Sequence, residues 1–441
     1  MPISLSPEAA ANIRKLVDDA CWANEQQGCL LPCATAVVIG KDKNGSPTEV
    51  FTHFARMNSQ GAIAGTVENN RSGASQSTSQ RDDIHWLASC TKLVTAIACM
   101  QLVEQGKLSL DCHHIDDSGI VEKICPELGA VQVLQDDGSL VDKKRPITLR
   151  MLLTHTAGFG YSFLNPKLQH YARQNTPGQS EYDEFSGRMF DFHQPLVNQP
   201  GDRFEYGISI DWAGIIVERI TGLKLNDYMQ QRIFAPLKIK DLSMFPSPDM
   251  KERLIGIWQR GEDGQLAGRE YPMQRSLDDE PEMLHSGGAG LFGSIREFSK
   301  ILATLLNDGI SPETGVAILS PATIRGMFAN QLPTQPNFAR RHLPAVKPDL
   351  VHPAEELYPL CPGYTPQGWG LSFMISPGIT GRSETTAQWS GLSNVFWWCD
   401  REKGLAGIVA SQVLPFVDPQ AAKLWVDVEA RVYEGLLYGN H

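Results

Sequence analysis

From Leu93 to Val103 the chain is dense in apolar positions: Leu93, Val94, Ala96, Ile97, Ala98, Met100, Leu102 and Val103. That spacing predicts a buried helix, with Gly106 as its stop. Upstream, Ser6-Pro7 opens a helix with Ala10, Ile13, Leu16, Val17 and Ala20 as its apolar stripe. Thr35 to Ile39 reads as a buried strand, Lys43 to Ser46 as a turn and Glu49 to Thr52 as the returning strand of a hairpin. Gly61 to Gln80 is Ser/Gly/Asn-rich and reads as loop. From Leu108 to about Pro281 short helical patterns alternate with polar connectors. Ile147 to Phe159 predicts one helix, Ile210 to Thr221 a second closed by Gly222, and Asn226 to Phe234 a third.

Beyond this region the pattern changes again. Gly287 to Ser294 reads as a tight turn into a helix through Phe298, Ile301, Leu302 and Leu305. Its Gly288-x-Gly290-x-x-Gly293 matches a dinucleotide fingerprint by letters only, because the acidic Asp278 to Glu282, not a strand, precedes it. Gln331 to Pro366 holds eight prolines and no periodicity, which marks residues 331–366 as a lid-like or substrate-binding loop. Strand signals follow at Trp369 to Ile375, Thr385 to Trp389, Ser393 to Trp398 and Leu405 to Val413. The last helix has Ala421, Trp425, Val428, Val432 and Leu436 on one face.

Strands at both ends and helices between them predict an α+β fold, an α/β sandwich. One antiparallel sheet drawn from both termini is flanked by helices, and a mostly helical lobe is inserted. The expected division is a discontinuous sheet domain, 1–110 with 286–441, and an inserted helical domain, 111–285, with the cleft at their seam.

Composition narrows the function. A net charge of −11, with no block of Lys or Arg, argues against nucleic acid and against an anionic membrane surface. No run of 18 apolar residues is present, and Met1-Pro2-Ile3-Ser4 lacks the features of a secretory signal. Nine cysteines, odd in number and irregular in spacing, read as reduced thiols, so a cytoplasmic location is expected. The sequons at Asn44 and Asn70 then carry no meaning. His113-His114-x-Asp116-Asp117 lacks the spacing of a metal site, and neither a metal nor a cofactor is expected.

The chemistry starts at Ser89-Cys90-Thr91-Lys92. In a helix starting near Ser89, Ser89 and Lys92 share a face one turn apart, and the hydroxyl lies at the positive end of the dipole. An ammonium there favours an alkoxide, and a neutral amine takes its proton. The same four residues also fit an N-cap serine and a snorkelling lysine. Tyr206, ahead of the helix from Ile210, is either an acid/base phenol or a core aromatic. Trp389-Ser390-Gly391 fits a strand that lets a ligand approach, or a bulge. His85 and His155 suggest a Ser-His pair, but no G-x-S-x-G elbow exists, and His155 is expected to bond backbone at a helix end. Trp258, Trp369, Trp389 and Trp397 are candidates to line the cleft or to pack the core.

Six segments in order add up to more: Ser89-x-x-Lys92, Leu152 to Gly158, Tyr206 ahead of Asp211-Trp212-Ala213-Gly214, Gly287 to Leu291, Gly368 to Leu371, and Trp389-Ser390-Gly391. Together they span most of the chain. In that order they resemble the serine β-lactamase-related family, which includes class C β-lactamases, carboxylesterases and DD-peptidases. Within it, Tyr206-Gly207, Asp211 to Gly214, Val217 to Arg219, Asn394 to Trp397 and Asp418-Pro419 are similar to fungal acyltransferases of secondary metabolism.

The resemblance implies a β-lactamase/transpeptidase-like fold, with Ser89 as nucleophile and Lys92 and Tyr206 as a pair that shares a proton and takes the one from Ser89. It also implies an oxyanion hole from the backbone N–H groups of Ser89 and Leu392, with substrate contacts from Trp389, Ser390, Gly391 and Trp369. Two departures stand out. Ile208 replaces the Asn of Y-x-N, and Trp389-Ser390-Gly391 replaces K-T-G, removing the cation that would hold a β-lactam carboxylate.

The expected activity is acyl transfer through an acyl-enzyme, from an ester or thioester, including one held on a carrier protein, to a small-molecule alcohol or amine. The alternatives are a carboxylesterase or β-lactamase-like hydrolase, and a non-catalytic binding protein. Oligomeric state is not legible in the sequence.

Overall fold

The structure is a computed structural model that describes residues 2–21, 23–24, 28–57, 63–64, 82–111, 119–175, 181–273, 283–342, 344–354 and 366–438. A short strand, Ile3–Leu5, paired with Leu436–Tyr438, precedes helix α1, Pro7–Cys21, whose Ala9 N–H donates to Ser6 Oγ at 3.1 Å. Strands β1, Cys33–Lys41, and β2, Pro47–Met57, form the expected hairpin, with a register shift between Val38 and Ile39. A short strand β3, Ile63–Ala64, continues the edge. Helix α2, Thr91–Glu104, follows Ser89, and Gly106 ends it in the left-handed conformation. Twelve of its residues are buried, so it has no solvent face and runs through the core.

The C-terminal strands are β4, Gly368–Trp369, β5, Met374–Ile375, β6, Ala387–Gly391, β7, Val395–Asp400, and β8, Leu405–Ala410. With the N-terminal strands they form one eight-stranded sheet in the order β4-β5-β6-β7-β8-β1-β2-β3, antiparallel at every pairing. The seam is β8 on β1, from Leu405 opposite Gly40 to Ala410 opposite Thr35. Every residue of β7 and β8 is buried, which requires cover on both faces. Helix α1 and the C-terminal helix, Pro419–Glu434, pack on each other and on the sheet, while the helix Ile295–Leu306 packs against the same central strands.

Several boundaries differ from the pattern. Ile147 to Phe159 is helical only over Leu149–Leu153. His155 turns left-handed at φ 54°, and the N–H groups of Thr156 and Ala157 both bond back to Met151 O, which closes the helix. Trp369 to Ile375 is two short strands around a turn, with Gly370 N–H bonded to Phe373 O at 2.8 Å. The Gly287 turn does not run straight into a helix. A strand, Phe292–Ser294, intervenes and pairs with Ile84–Trp86 before Ser294 caps the helix. Helix α3, Ser209–Thr221, ends at Gly222 as expected.

Cys90, Cys99, Cys125 and Cys399 are buried thiols. His113 to Asp117, Asp278 to Glu282 and Asn70 lie outside the described residues. Among the described residues no helix is long and apolar enough to cross a membrane, and no cluster of His, Cys, Asp or Glu is arranged to hold a metal ion.

Candidate functional site

Ser89 lies in a 3-10 turn, Ala88–Cys90, that leads into α2. Ala88 carries a φ of 44°, a conformation costly for any residue with a Cβ. The turn is held against the Gly287–Leu291 segment. Leu87 N–H donates to Leu291 O at 2.9 Å, and Thr91 Oγ accepts from Leu291 N–H at 3.0 Å. Ser89 therefore stands at the positive end of a 14-residue helix.

Lys92, one turn further on, is fully buried. Its Nζ donates to Ser89 Oγ at 3.0 Å, to Tyr161 OH at 3.0 Å and to Gly288 O at 2.9 Å. An ammonium has three N–H bonds, and each has an acceptor here. The Tyr206 and Tyr161 rings face it with centroids 4.8 and 5.3 Å from Nζ. Gly288 is held in place by buried Asp211, whose Oδ1 accepts from Gly288 N–H at 2.9 Å and from Ser286 Oγ at 2.6 Å. Burial pushes the Asp211 carboxyl up, and the Lys92 charge opposes this. A Cβ on Gly288 would lie 2.3 Å from Asp211 Oδ2, so the position needs glycine.

Tyr206 OH donates to Ser89 Oγ at 2.9 Å, and Trp389 Nε1–H donates to Tyr206 OH at 3.1 Å. His155 positions the tyrosine. Its carbonyl accepts from Glu205 N–H at 2.8 Å, its Nδ1 from Gly207 N–H at 3.4 Å, and its ring tilts against Tyr206 with centroids 4.7 Å apart. Burial, aided by the Lys92 charge, holds His155 well below the usual imidazole range, so the ring is neutral. It bonds backbone and does not touch Ser89. His85 is also buried, which pulls it down to about 4.

Ser89, Tyr206, Trp389, Ser390 and Leu392 line one pocket with Tyr161, Phe163, Phe185, Val351 and Phe416, about 520 Å³ including its mouth. None of its lining residues carries a positive charge. Gly391 does not line it, but lets β6 approach the Ser89 turn: a Cβ there would stand 2.4 Å from Leu87 O. That approach sets Leu392 beside Ser89.

Trp369 stands apart from this pocket. It is fully buried behind Trp389, with centroids 4.8 Å apart, and its Nε1–H donates to Leu153 O at 3.2 Å, so it does not reach the pocket. Trp397 is core in β7, and Trp258 lies in an outer strand, Ile257–Arg260; neither lines the pocket.

Three participants escaped sequence reasoning: Tyr161, the carboxylate of Asp211 and the carbonyl of Gly288. Tyr161 follows no spacing rule from Lys92. Asp211 and Gly288 stood in recognised segments, but nothing in them disclosed their roles.

A family model described as Beta-lactamase matches residues 54–430. Lovastatin esterase of Penicillium rubens is 36% identical over 352 residues, covering 77% of this chain and 82% of the relative. Monacolin J acid methylbutanoyltransferase of Aspergillus terreus is 33% identical over 369 residues, covering 80% of this chain and 82% of the relative. The solved structure of simvastatin synthase from Aspergillus terreus, LovD6 mutant, superposes with a TM-score of 0.74 at 28% identity, covering 97% of this chain and 95% of that one.

Proposed function

The chain belongs to the beta-lactamase family, among its acyltransferases and esterases, and on that premise we propose that Ser89 is an acyl-carrying nucleophile in a transferase of secondary metabolism. One observation carries the reading: Ser89 Oγ has Lys92 Nζ at 3.0 Å and Tyr206 OH at 2.9 Å. With three acceptors around Nζ, Lys92 acts as an ammonium, and Tyr206 is the base. Once Tyr206 has given up its proton to solvent at the pocket mouth, the 2.9 Å contact reverses and Ser89 O–H donates to the phenolate. Trp389 N–H and the Lys92 charge stabilise that oxygen.

Ser89 Oγ then attacks the ester or thioester carbonyl, and its proton passes through Tyr206 to the leaving alkoxide or thiolate. The N–H groups of Ser89 and Leu392 serve as the oxyanion hole, a contribution of about 3–4 kcal/mol per donor in comparable sites. Tyr206 next takes the proton of the acceptor alcohol or amine, which attacks the acyl-enzyme. The new ester or amide leaves, and Ser89 regains its proton.

Apolar walls favour transfer over hydrolysis by excluding water. Residues 343 and 355–365 of the 331–366 loop lie outside the described residues; its described part supplies a wall, since Val351 borders the pocket and Phe416 N–H bonds Leu350 O at 2.7 Å. On the division into 1–110 with 286–441 and 111–285, the sheet domain supplies Ser89, Lys92 and Trp389, and the inserted lobe supplies Tyr161 and Tyr206. The donor includes esters and thioesters, carrier-bound ones among them, and the setting is cytoplasmic. The second reading, an esterase, is favoured by the Penicillium rubens relative.

Incubation with a short-chain acyl thioester, with and without an acceptor alcohol, tests the reading. New ester in the presence of acceptor is expected, and Ser89→Ala abolishes it. Free acid as the sole product in both tubes would leave the esterase. Equal turnover by Ser89→Ala would leave neither.

A further inference from the structure

The two N–H groups assigned to the oxyanion hole lie far apart in the chain. Ser89 is on the 3-10 turn Ala88–Cys90, and Leu392 is in the turn between β6 and β7. For both to reach one oxygen, their spacing must hold to within about 0.5 Å.

Gln412, just beyond β8, ties the two segments together. The N–H of Trp86, on the strand that leads to Ser89, donates to Gln412 Oε1 at 3.0 Å. Gln412 Nε2 donates back to Trp86 O at 3.2 Å, so one amide holds both main-chain groups of one residue. The same Nε2 lies 3.1 Å from Ser393 Oγ, and Ser393 directly follows Leu392. Ser393 Oγ closes the triangle by donating to Trp86 O at 2.8 Å. A further contact, from Nε2 to Ser411 O at 2.6 Å, fastens the amide to its own chain neighbour. Turning the amide over would set Nε2 against the Trp86 N–H, donor against donor, so only one orientation fits.

Trp86, Ser393 and Gln412 are each 0% exposed, so bulk water does not reach these contacts. A methionine would fill the same volume without having polar atoms to satisfy. The polar side chain therefore joins two backbones as well as packing between them.

We propose that Gln412 is a positioning residue for acyl transfer, which sets the distance between the Ser89 and Leu392 N–H groups by clamping Trp86 to Ser393. This rests on the acyl-enzyme reading above. Gln412 does not line the Ser89 pocket and acts only through the two turns.

Single-turnover acylation by p-nitrophenyl butyrate and by its thionoester, with C=S in place of C=O, tests it on wild type, Gln412→Met and Ser393→Ala. A hole spaced for oxygen fits sulfur badly, so wild type should favour the ester roughly tenfold or more. In Gln412→Met, ester acylation should fall roughly thirtyfold with KM within about twofold, and the ester-to-thionoester ratio should fall roughly fivefold. Ser393→Ala, which cuts the link on the Leu392 side, should lower that ratio roughly threefold. A Gln412→Met that is folded by circular dichroism and acylates as wild type does overturns the proposal. So does one slowed equally on both substrates, because general loosening does not tell oxygen from sulfur. Should Gln412→Met fail to fold, Ser393→Ala decides, and an unchanged ratio there overturns the proposal. A wild type acylated equally fast by both overturns the oxyanion hole and this inference with it, while a wild type acylated by neither overturns the acyl-enzyme reading itself.

Discussion

The indole N–H of Trp389 meets the phenol oxygen of Tyr206 at 3.1 Å, on the same oxygen that lies 2.9 Å from Ser89 Oγ. Where the β-lactamases of this family place K-T-G, the chain has a neutral donor aimed at the Tyr206 phenol. A hydrogen bond to a charged oxygen contributes about 1.5–3 kcal/mol. Trp389→Phe keeps most of the ring packing and removes that donor. Acylation should slow roughly tenfold to a hundredfold, with kcat falling more than KM rises. Single-turnover acylation with a p-nitrophenyl ester measures it.

The two tyrosines around Lys92 should separate cleanly. Burial pushes the Tyr161 phenol well above its usual range, reinforced by Asp211, Tyr206 and Glu184, so it stays protonated and offers Lys92 only an acceptor oxygen. Tyr206→Phe removes the proposed base, and turnover should fall on the order of a thousandfold. Tyr161→Phe should cost on the order of tenfold and leave the shape of the pH–rate profile unchanged. Steady-state rates from pH 5 to 10 for the two variants check both halves.

Gly391→Ala places a Cβ 2.4 Å from Leu87 O, a backbone atom that cannot swing aside. The strand must move away from the Ser89 turn, carrying Leu392 with it. Acyl-enzyme formation should fall roughly a hundredfold, as when one oxyanion donor is lost. Circular dichroism should show the fold retained, and intact-mass spectrometry after donor addition reads the acylation.

Glu184 makes stability depend on pH. Burial raises its carboxyl from the usual 4.5 to about 7, against the bonds from Ser162 and Gln194. A raised carboxyl is protonated in the fold while the unfolded chain ionises. Its contribution is therefore complete below about pH 4.5 and is lost as pH climbs through about 7. The full swing is roughly 3 kcal/mol. Glu184→Gln should lose less stability than wild type between pH 5 and pH 8, as followed by urea unfolding at each pH.

Local rules made much of this protein legible. The α2 segment is so uniformly apolar that a buried helix was the only comfortable reading, and Ser89 and Lys92 inherit their proximity from helix geometry. Gly222 and Ser6 ended and began helices as such residues do. What escaped was non-local. Tyr161 reaches Lys92 because the chain takes positive φ at His155 and at Gly158 and returns along Asn198, where a Cβ on Gly158 would stand 2.2 Å from a carbonyl. Trp369 looked like a cleft residue because large aromatics suit both core and ligand. Its place behind Trp389 depends on a turn that the strand pattern concealed. The acceptor that Gly288 offers Lys92 is a main-chain oxygen, which residue identity does not disclose.

The neighbour of β1 in the sheet is β8, so the centre of the molecule joins residues 33–41 to residues 405–410. During synthesis the first hairpin leaves the ribosome long before the strand that covers its open edge. Until Leu405–Ala410 emerges, that edge is unpaired. The nascent chain is therefore exposed to sticking and to chaperone capture for nearly the whole of translation. A stop codon anywhere before β8 should yield not a shortened enzyme but an insoluble one.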